Sequence, residues 1–525
     1  MKLSHNIPIK IYLLDKQYLS LIKASKDLLD DLNKLFNNAS FTDDFFDANI
    51  VLKIDDSLEH IEQYKYVIQD DKIIITGKDD LGLIFGIYQF LEQQLLIPPF
   101  YKIEGLKLQR REDIVLENKA YTNYPKTRFR GWFINDEDLL TDFKYKGHRN
   151  IDYMFYRNVI SPEMIDLIAE TCLRFGYNLI IPSTLVDINS PFEDDLLKTC
   201  SERGLYLSQH HIEPLGVSKF GFRDFALKFN YENNFSFVSN QEAIEKCWEY
   251  YAKKWSKYPR VIWQLGLRGG TDKPVWATDK NVGSSKEDRG ALISNAMKKQ
   301  YEIIKNNYHY PLYFSSTLWM EGADLLKNNL IDLPQDVIIV FSDIGMSQMF
   351  GEDIFEVKKD INRNYGIYYH AAYWHTGPHL AEAVIPEKML YCYDILRQNN
   401  VNYYSMLNVA NVKELTFSIF INRSLLWDDK INLENIYNQY TKLYLKDNQK
   451  LIDNIKQYYL CLGDVGENEY YKFCHKYDFD YKKYNNLNFP VVSLNDGMIR
   501  SIVYQKMEQK QLRITKQIKD TLTYG

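Results

Sequence analysis

The feature that most constrains this chain is an eightfold alternation of strand-like and helix-like runs between about residues 120 and 428. Apolar, strand-like runs recur at Arg128–Asn135, Tyr177–Ser183, Leu205–His211, Arg260–Gly269, Pro311–Thr317, Val337–Asp343, Tyr365–Tyr373 and Asn402–Asn408. Helical patterns separate them, among them Pro162–Phe175, Gln241–Lys254, Arg289–Lys305 and Glu387–Arg397. Ser161 and Pro162 place a hydroxyl cap and a proline at the start of the first of these helices. Repeated strand–helix units make a parallel sheet buried on both faces, and eight of them close into a (β/α)8 barrel. The expected fold class is therefore α/β, with a central TIM barrel over residues 119–428.

Two smaller units flank the barrel. Residues 1–118 predict a two-layer α+β domain in the order β-α-β-β-α, with strands at Ile9–Leu14, Ala48–Ile54, Tyr64–Gln69 and Lys72–Thr76. Its helices fall at Lys23–Phe36 and Leu81–Leu95, the second entered through the acids Asp79 and Asp80, where a helix dipole favours negative charge. Residues 429–525 predict a helical domain, with helices at Leu433–Lys446, Gln449–Leu462, Asn468–Lys476 and Ile499–Thr521. Such a domain would pack on the barrel and could supply a homodimer contact.

Charge and cysteine usage narrow the partners. A net charge of −6 with no basic run argues against nucleic acid. No apolar run approaches the ~20 residues of a membrane span, and the first residues carry no signal-peptide pattern, so a cytoplasmic protein without a membrane partner is expected. The six cysteines include no CxxC pair and read as reduced thiols, giving neither a disulfide framework nor a metal site.

Chemistry in such barrels sits where the strands end. The first strand ends in Asn135, Asp136 and Glu137, and the third in His210, His211 and Glu213. The fourth breaks at glycines and delivers Arg268 and Asp272, and the fifth is followed by Glu321. Asp343 closes the sixth, His370, Tyr373 and Trp374 close the seventh, and Asn408 and Lys413 follow the eighth. Arg268 has the planar fork that grips an anion at two points. Asp272 suits the role of acid, base or partner to Arg268. The adjacent His210 and His211, if on a strand, point to opposite sides, which disfavours a metal. No nucleophile elbow, P-loop or dinucleotide fingerprint is present. Carboxylates, histidines, aromatics and one arginine converging on a cleft are the equipment of a glycosidase that needs no cofactor.

The segments Gly82–Glu92, Arg130–Glu137, Ser208–Pro214, Gly266–Pro274, Leu318–Gly322, Gly366–Tyr373 and Asn408–Glu414 run in the order found in glycoside hydrolase family 115, which the chain resembles from about residue 70 to 430. The resemblance implies an inverting, exo-acting xylan α-1,2-glucuronidase that removes glucuronic or 4-O-methylglucuronic acid from xylo-oligosaccharides. It carries Asp272 and Glu321 over as the catalytic carboxylates. Trp319 and Met320 give Glu321 apolar neighbours and favour it as the acid, with Asp272 as the base. The substrate contacts then fall to Asn135, Asp136, His210, His211, Glu213, Arg268, Asp343, His370, Tyr373, Trp374, Asn408 and Lys413.

Several walls depart from the family pattern, at Ile181–Leu185, Ser342–Ser347, Gly270, Lys273 and His375–Ala383. With the sequence stopping at Gly525, a counterpart of the family's C-terminal β-sandwich is also not expected. Two other readings stay open. One is the same fold acting on a different α-linked sugar, and the other is a catalytically silent carbohydrate-binding protein.

Overall fold

The computed structural model describes residues 1–135, 138–151, 157–269, 272–344, 349–372, 384, 386–445 and 448–456. All eight expected barrel strands form, as Phe129–Phe133, Leu179–Ile181, Tyr206–Ser208, Val261–Gln264, Tyr313–Thr317, Val337–Ile344, Tyr365–His370 and Tyr404–Asn408. Each pairs in parallel with the next, and the eighth returns to the first through Tyr404↔Phe129 and Asn408↔Phe133. The ring is closed. Its strands are apolar on both faces because side chains fill the interior while helices cover the outside. Phe129, Phe314, Ile367 and Leu407 are almost fully buried, as are Leu173 and Ile304 on the surrounding helices.

The N-terminal segment builds a six-stranded sheet in the order Ala39–Phe41, Ile9–Leu13, Ile50–Ile54, Ile73–Gly77, Tyr64–Ile68, Lys119–Asn123. Helices Leu19–Phe36 and Asp80–Leu95 pack with it. The second helix starts where Asp79 accepts the Gly82 amide, and its glycines let it lie directly on the sheet. A Cβ on Gly82 would fall 2.4 Å from the Gln63 carbonyl oxygen, and one on Gly86 would fall 2.9 Å from Ile75 Cγ2. The two outer strands, Ala39–Phe41 and Lys119–Asn123, have no place in the expected β-α-β-β-α order. Lys119–Asn123 also carries this sheet past residue 118, pairing Tyr121 with Tyr66.

This layer is bolted to the amino-terminal end of the barrel by buried ion pairs. Glu62 meets Arg128 and Arg130 at 2.5 Å each and accepts from Asn178 at 2.8 Å. Asp31 meets Arg174, Asp27 meets Arg203, and Asp80 meets Arg260, all at 2.6–2.7 Å. Those arginines sit at strand starts or helix ends facing the layer, so the pairs lock two folding units in one register. Beside this layer, helix Leu433–Tyr444 packs on the last barrel helix, Thr416–Trp427. A further helical stretch covers residues 449–456, while the expected helices Asn468–Lys476 and Ile499–Thr521 lie outside the described residues.

Arg130 is 0% exposed, so removing its partner strands a charge in the interior. Glu62→Ala is expected to cost about 3–5 kcal/mol in urea unfolding. Burial opposes ionisation of Glu62, but Arg130 and Arg128 outweigh it and hold the carboxyl below the ordinary glutamate range. A depressed folded pKa means that the stabilisation is full above the unfolded pKa of about 4.3 and fades as pH falls through the folded one. Glu62→Gln should therefore flatten the acid limb of stability against pH while leaving its neutral and alkaline limbs parallel to wild type.

Candidate active site

The mouth of the barrel is defined by where the fourth and fifth strands stop. After Gln264 the chain leaves the ladder, and buried Gln300 on helix Lys286–Asn307 clamps Gly266, accepting from its amide at 2.9 Å and donating to its carbonyl at 2.7 Å. Gly269 then donates to the Lys273 carbonyl at 2.8 Å.

Arg268 joins the two carboxylates. Its Nη1 lies 2.8 Å from Glu321 Oε1, its Nε lies 2.8 Å from Asp272 Oδ1, and its Nη2 donates to the Asp272 carbonyl at 2.8 Å. The Nε contact is off the hydrogen-bond axis, so charge rather than a directed bond holds that oxygen. His211 Nε2 donates to the same Asp272 oxygen at 3.0 Å. Burial alone would raise the Asp272 carboxyl, but His211 by charge and hydrogen bond, then Arg268 by charge, hold it well below the usual range. Glu321 goes the other way. Burial raises its carboxyl, and the nearby Arg268 offsets only part of that rise. Its Oε2 is buried without a hydrogen-bond partner. One carboxyl is shifted down and its neighbour is shifted up. That is the division of labour between base and acid.

The remaining predicted residues fall around this pair. His210 and His211 lie just beyond their strand, so the alternation expected of adjacent strand residues does not apply. Their rings pack edge-to-face with centroids 4.0 Å apart. His210 is held neutral, pushed well below the usual histidine range by burial and by His211 beside it. Glu213 turns into the protein. It accepts the amides of Leu185, at 2.8 Å, and Val186, and burial lifts its carboxyl to about 8. Asp343 takes both the ring Nδ1 of His370, at 2.5 Å, and its backbone amide, at 3.1 Å. Asn408 donates to the Tyr368 hydroxyl at 2.8 Å. Asn135 accepts from Thr184 at 3.0 Å, and Lys413 is exposed at the rim. Asp136, Tyr373 and Trp374 lie outside the described residues.

Two groups at the mouth escaped the sequence reading. Tyr368 packs its ring 4.4 Å from that of His370, and its place two residues earlier on the same strand would have put both on one face. Arg149, after the inserted strand Tyr145–His148, bonds the Thr184 carbonyl and Ser183 Oγ, and its contact with Glu193 is 3.8 Å. It braces the loop after the second strand, and only its fold neighbours reveal that.

Strained backbone occurs at these same ends. Left-handed φ values occur at Leu185 (58°), Leu215 (55°), Asp272 (56°), Met320 (52°), Ala410 (41°) and Val412 (73°), each following a barrel strand. Met320, directly before Glu321, pairs its positive φ with ψ of −112°, a region that glycine alone visits freely. Such strain is characteristic of functional sites, where surrounding structure over-determines the backbone.

The sequence profile described as glycosyl hydrolase family 115 matches residues 122–464. The chain belongs to glycosyl hydrolase family 115. Among solved structures it is similar to a family-115 4-O-methyl-α-glucuronidase with specificity for decorated arabinogalactans, at a TM-score of 0.73 and 17% identity, over 87% of this chain and 62% of that one. This family-115 chain thus spans less than two thirds of that relative. It is also similar to a family-138 enzyme targeting pectin rhamnogalacturonan II (TM-score 0.58, 12% identity, 87% and 56% covered). A family-89 glycoside hydrolase from Clostridium perfringens follows (TM-score 0.54, 12% identity, 84% and 52% covered). At these identities the structures share the fold. No protein of curated function matches in sequence.

Replacing Met320 by glycine relieves the backbone without touching either carboxylate. Met320→Gly is expected to raise the unfolding free energy by about 1 kcal/mol, as checked by chemical denaturation. A loss of stability would mean that the half-exposed methionine side chain contributes more than its backbone costs.

Proposed function

We propose that this family-115 chain is an inverting, exo-acting α-glucuronidase that removes glucuronic or 4-O-methylglucuronic acid from short xylo-oligosaccharides. The observation that carries the reading is the pair Asp272 and Glu321, held on one guanidinium with their carboxyls shifted in opposite directions. Glu321, with its free Oε2, protonates the departing glycosidic oxygen. Asp272 takes the proton of a water that attacks the anomeric carbon from the opposite face, so the C–O bond breaks as the new one forms and the anomer inverts. Arg268 holds the pair by charge through Nε and Nη1 and by a hydrogen bond from Nη2 to the Asp272 carbonyl, which makes it a positioning residue. Its remaining N–H groups would meet the sugar's carboxylate. His370, oriented by Asp343, together with Asn408 and Tyr368, lines the sugar's other hydroxyls.

The relative specific for decorated arabinogalactans favours a second reading, in which the same uronic acid is released from a galactan fragment. The deciding experiment incubates the chain with 4-O-methylglucuronic-acid-decorated xylo-oligosaccharides, decorated arabinogalactan fragments and matched neutral α-glycosides. NMR then follows the first-formed anomer. Release of the β-anomer of the uronic acid is expected. A retained anomer, or release only of neutral sugars, sinks the proposal.

Asp272→Asn and Glu321→Gln should each lower kcat by at least about a hundredfold with an unchanged melting temperature. An activated aryl leaving group should rescue Glu321→Gln but not Asp272→Asn. The pH profile has a defined sign. kcat/KM should hold its acid limb to very low pH and decline as pH climbs through the raised pKa of Glu321. In Arg268→Ala both limbs should move to higher pH, because the guanidinium lowers both carboxyls in the wild type. Limbs that stay in place would assign Arg268 to substrate binding alone.

A further inference from the structure

At the amino-terminal end of the barrel, away from the mouth, a cleft of about 280 Å³ opens between the N-terminal sheet and helix Leu433–Tyr444. Its place follows from its walls. Tyr64 and Glu92 belong to the layer that covers the strand starts, and Trp427 ends the last barrel helix, bonding the Gly176 carbonyl just before the second strand. The site described above uses none of these residues.

The walls have two kinds of surface. Tyr64, Tyr66 and Tyr121 form a ladder of rings on one face of the sheet, with Tyr66 and Tyr121 stacked at 5.4 Å and Tyr64 and Tyr121 at 6.0 Å. Tyr64 and Tyr121 line the cleft, and Tyr121, on the outer strand, is half-buried and keeps part of its ring open. Beside the rings stand the amides of Gln89 and Gln93. They are joined to each other at 3.1 Å and to the Tyr66 hydroxyl at 2.7 Å, so they are oriented before any ligand arrives. The charges cancel. Arg423 is bonded to both oxygens of Glu92 at the floor, and Asp428 and Lys442 bring one charge of each sign to the lining. The open part of the Tyr121 ring, flanked by bonded neutral amides and by balanced charge, suits a ligand that is apolar on one face, rich in hydroxyls at its edge, and uncharged. A pyranose ring in an unsubstituted stretch of an oligosaccharide has that form.

We propose that this cleft is a second carbohydrate-binding site, which takes a neutral pyranoside and holds the undecorated part of an oligosaccharide at a distance from the catalytic mouth. The ligand class follows from the cleft, and its belonging to the substrate rests on the reading under Proposed function. The two are separable by experiment.

The full chain carrying 5-fluorotryptophan is titrated with xylotriose, galactobiose and glucuronate, and the fluorine resonance of Trp427 is followed after assignment with Trp427→Phe. A saturable shift with a neutral sugar, at a dissociation constant of about a millimolar, is expected, with none from glucuronate. Tyr121→Ala should weaken it about tenfold. Ser424→Tyr, which fills the cleft from the helix side, should abolish it. Both variants should keep wild-type turnover of a small aryl substrate, or the same melting temperature if no turnover is found, so failure of the catalytic reading leaves this test intact. A Trp427 resonance unmoved by neutral sugars, a response to glucuronate alone, or an undiminished shift in Ser424→Tyr overturns the proposal.

Discussion

Glu62 is the keystone of the molecule. A carboxylate that lies 1% exposed can remain ionised only because Arg128, Arg130 and the Asn178 amide surround it. Taking such ions out of water costs several kcal/mol each unless geometry returns it, so pairs of this kind tolerate one arrangement and no other. Here they fix the N-terminal layer against the strand starts. The barrel's amino-terminal end is closed by that layer, and its carboxyl end is left for chemistry. The division of the barrel into a stable end and a reactive end is thus enforced by charge at one end and by strained loops at the other.

The barrel could be read from the chain because burial on both faces leaves a simple imprint. Seven of the eight apolar runs contained their strand, and the sixth strand, Val337–Ile344, passes its run by one residue. The runs were longer than the strands where a side chain from elsewhere captures the backbone. Residues 265–269 read as strand, yet the chain leaves the ladder after Gln264 and Gln300 takes over Gly266. No local pattern announces a glutamine 34 residues away. The same applies to Ala39–Phe41 and Lys119–Asn123, which lie at the edges of their sheet and carry exposed or half-exposed residues. They lack the alternation that marks a half-buried strand.

For the site, chemistry was legible and geometry was not. Residue type and strand-end position bring Asp272, Glu321, Arg268 and His211 to one place. That Arg268 would reach both carboxylates depends on two loops separated by nearly fifty residues. That His210 and His211 would pack ring to ring depends on the strand ending at Ser208. Glu213 shows the converse. It had the right type and position, yet the nearest unmet need was the amides of the loop after the second strand, and it turned inward to serve them.

The left-handed backbone at Asp272 has an evolutionary consequence. Glycine, asparagine and aspartate adopt that conformation at the smallest cost, so drift at this position is easiest among those three. Of these, asparagine matches the shape of aspartate and is one nucleotide change away. A descendant carrying it would keep the loop, the contact with Arg268 through the backbone carbonyl, and the cleft around them. If Asp272 is the base proposed above, that descendant would still bind sugar while turning it over far more slowly. The easiest departure from the proposed activity is therefore a carbohydrate receptor that keeps its fold.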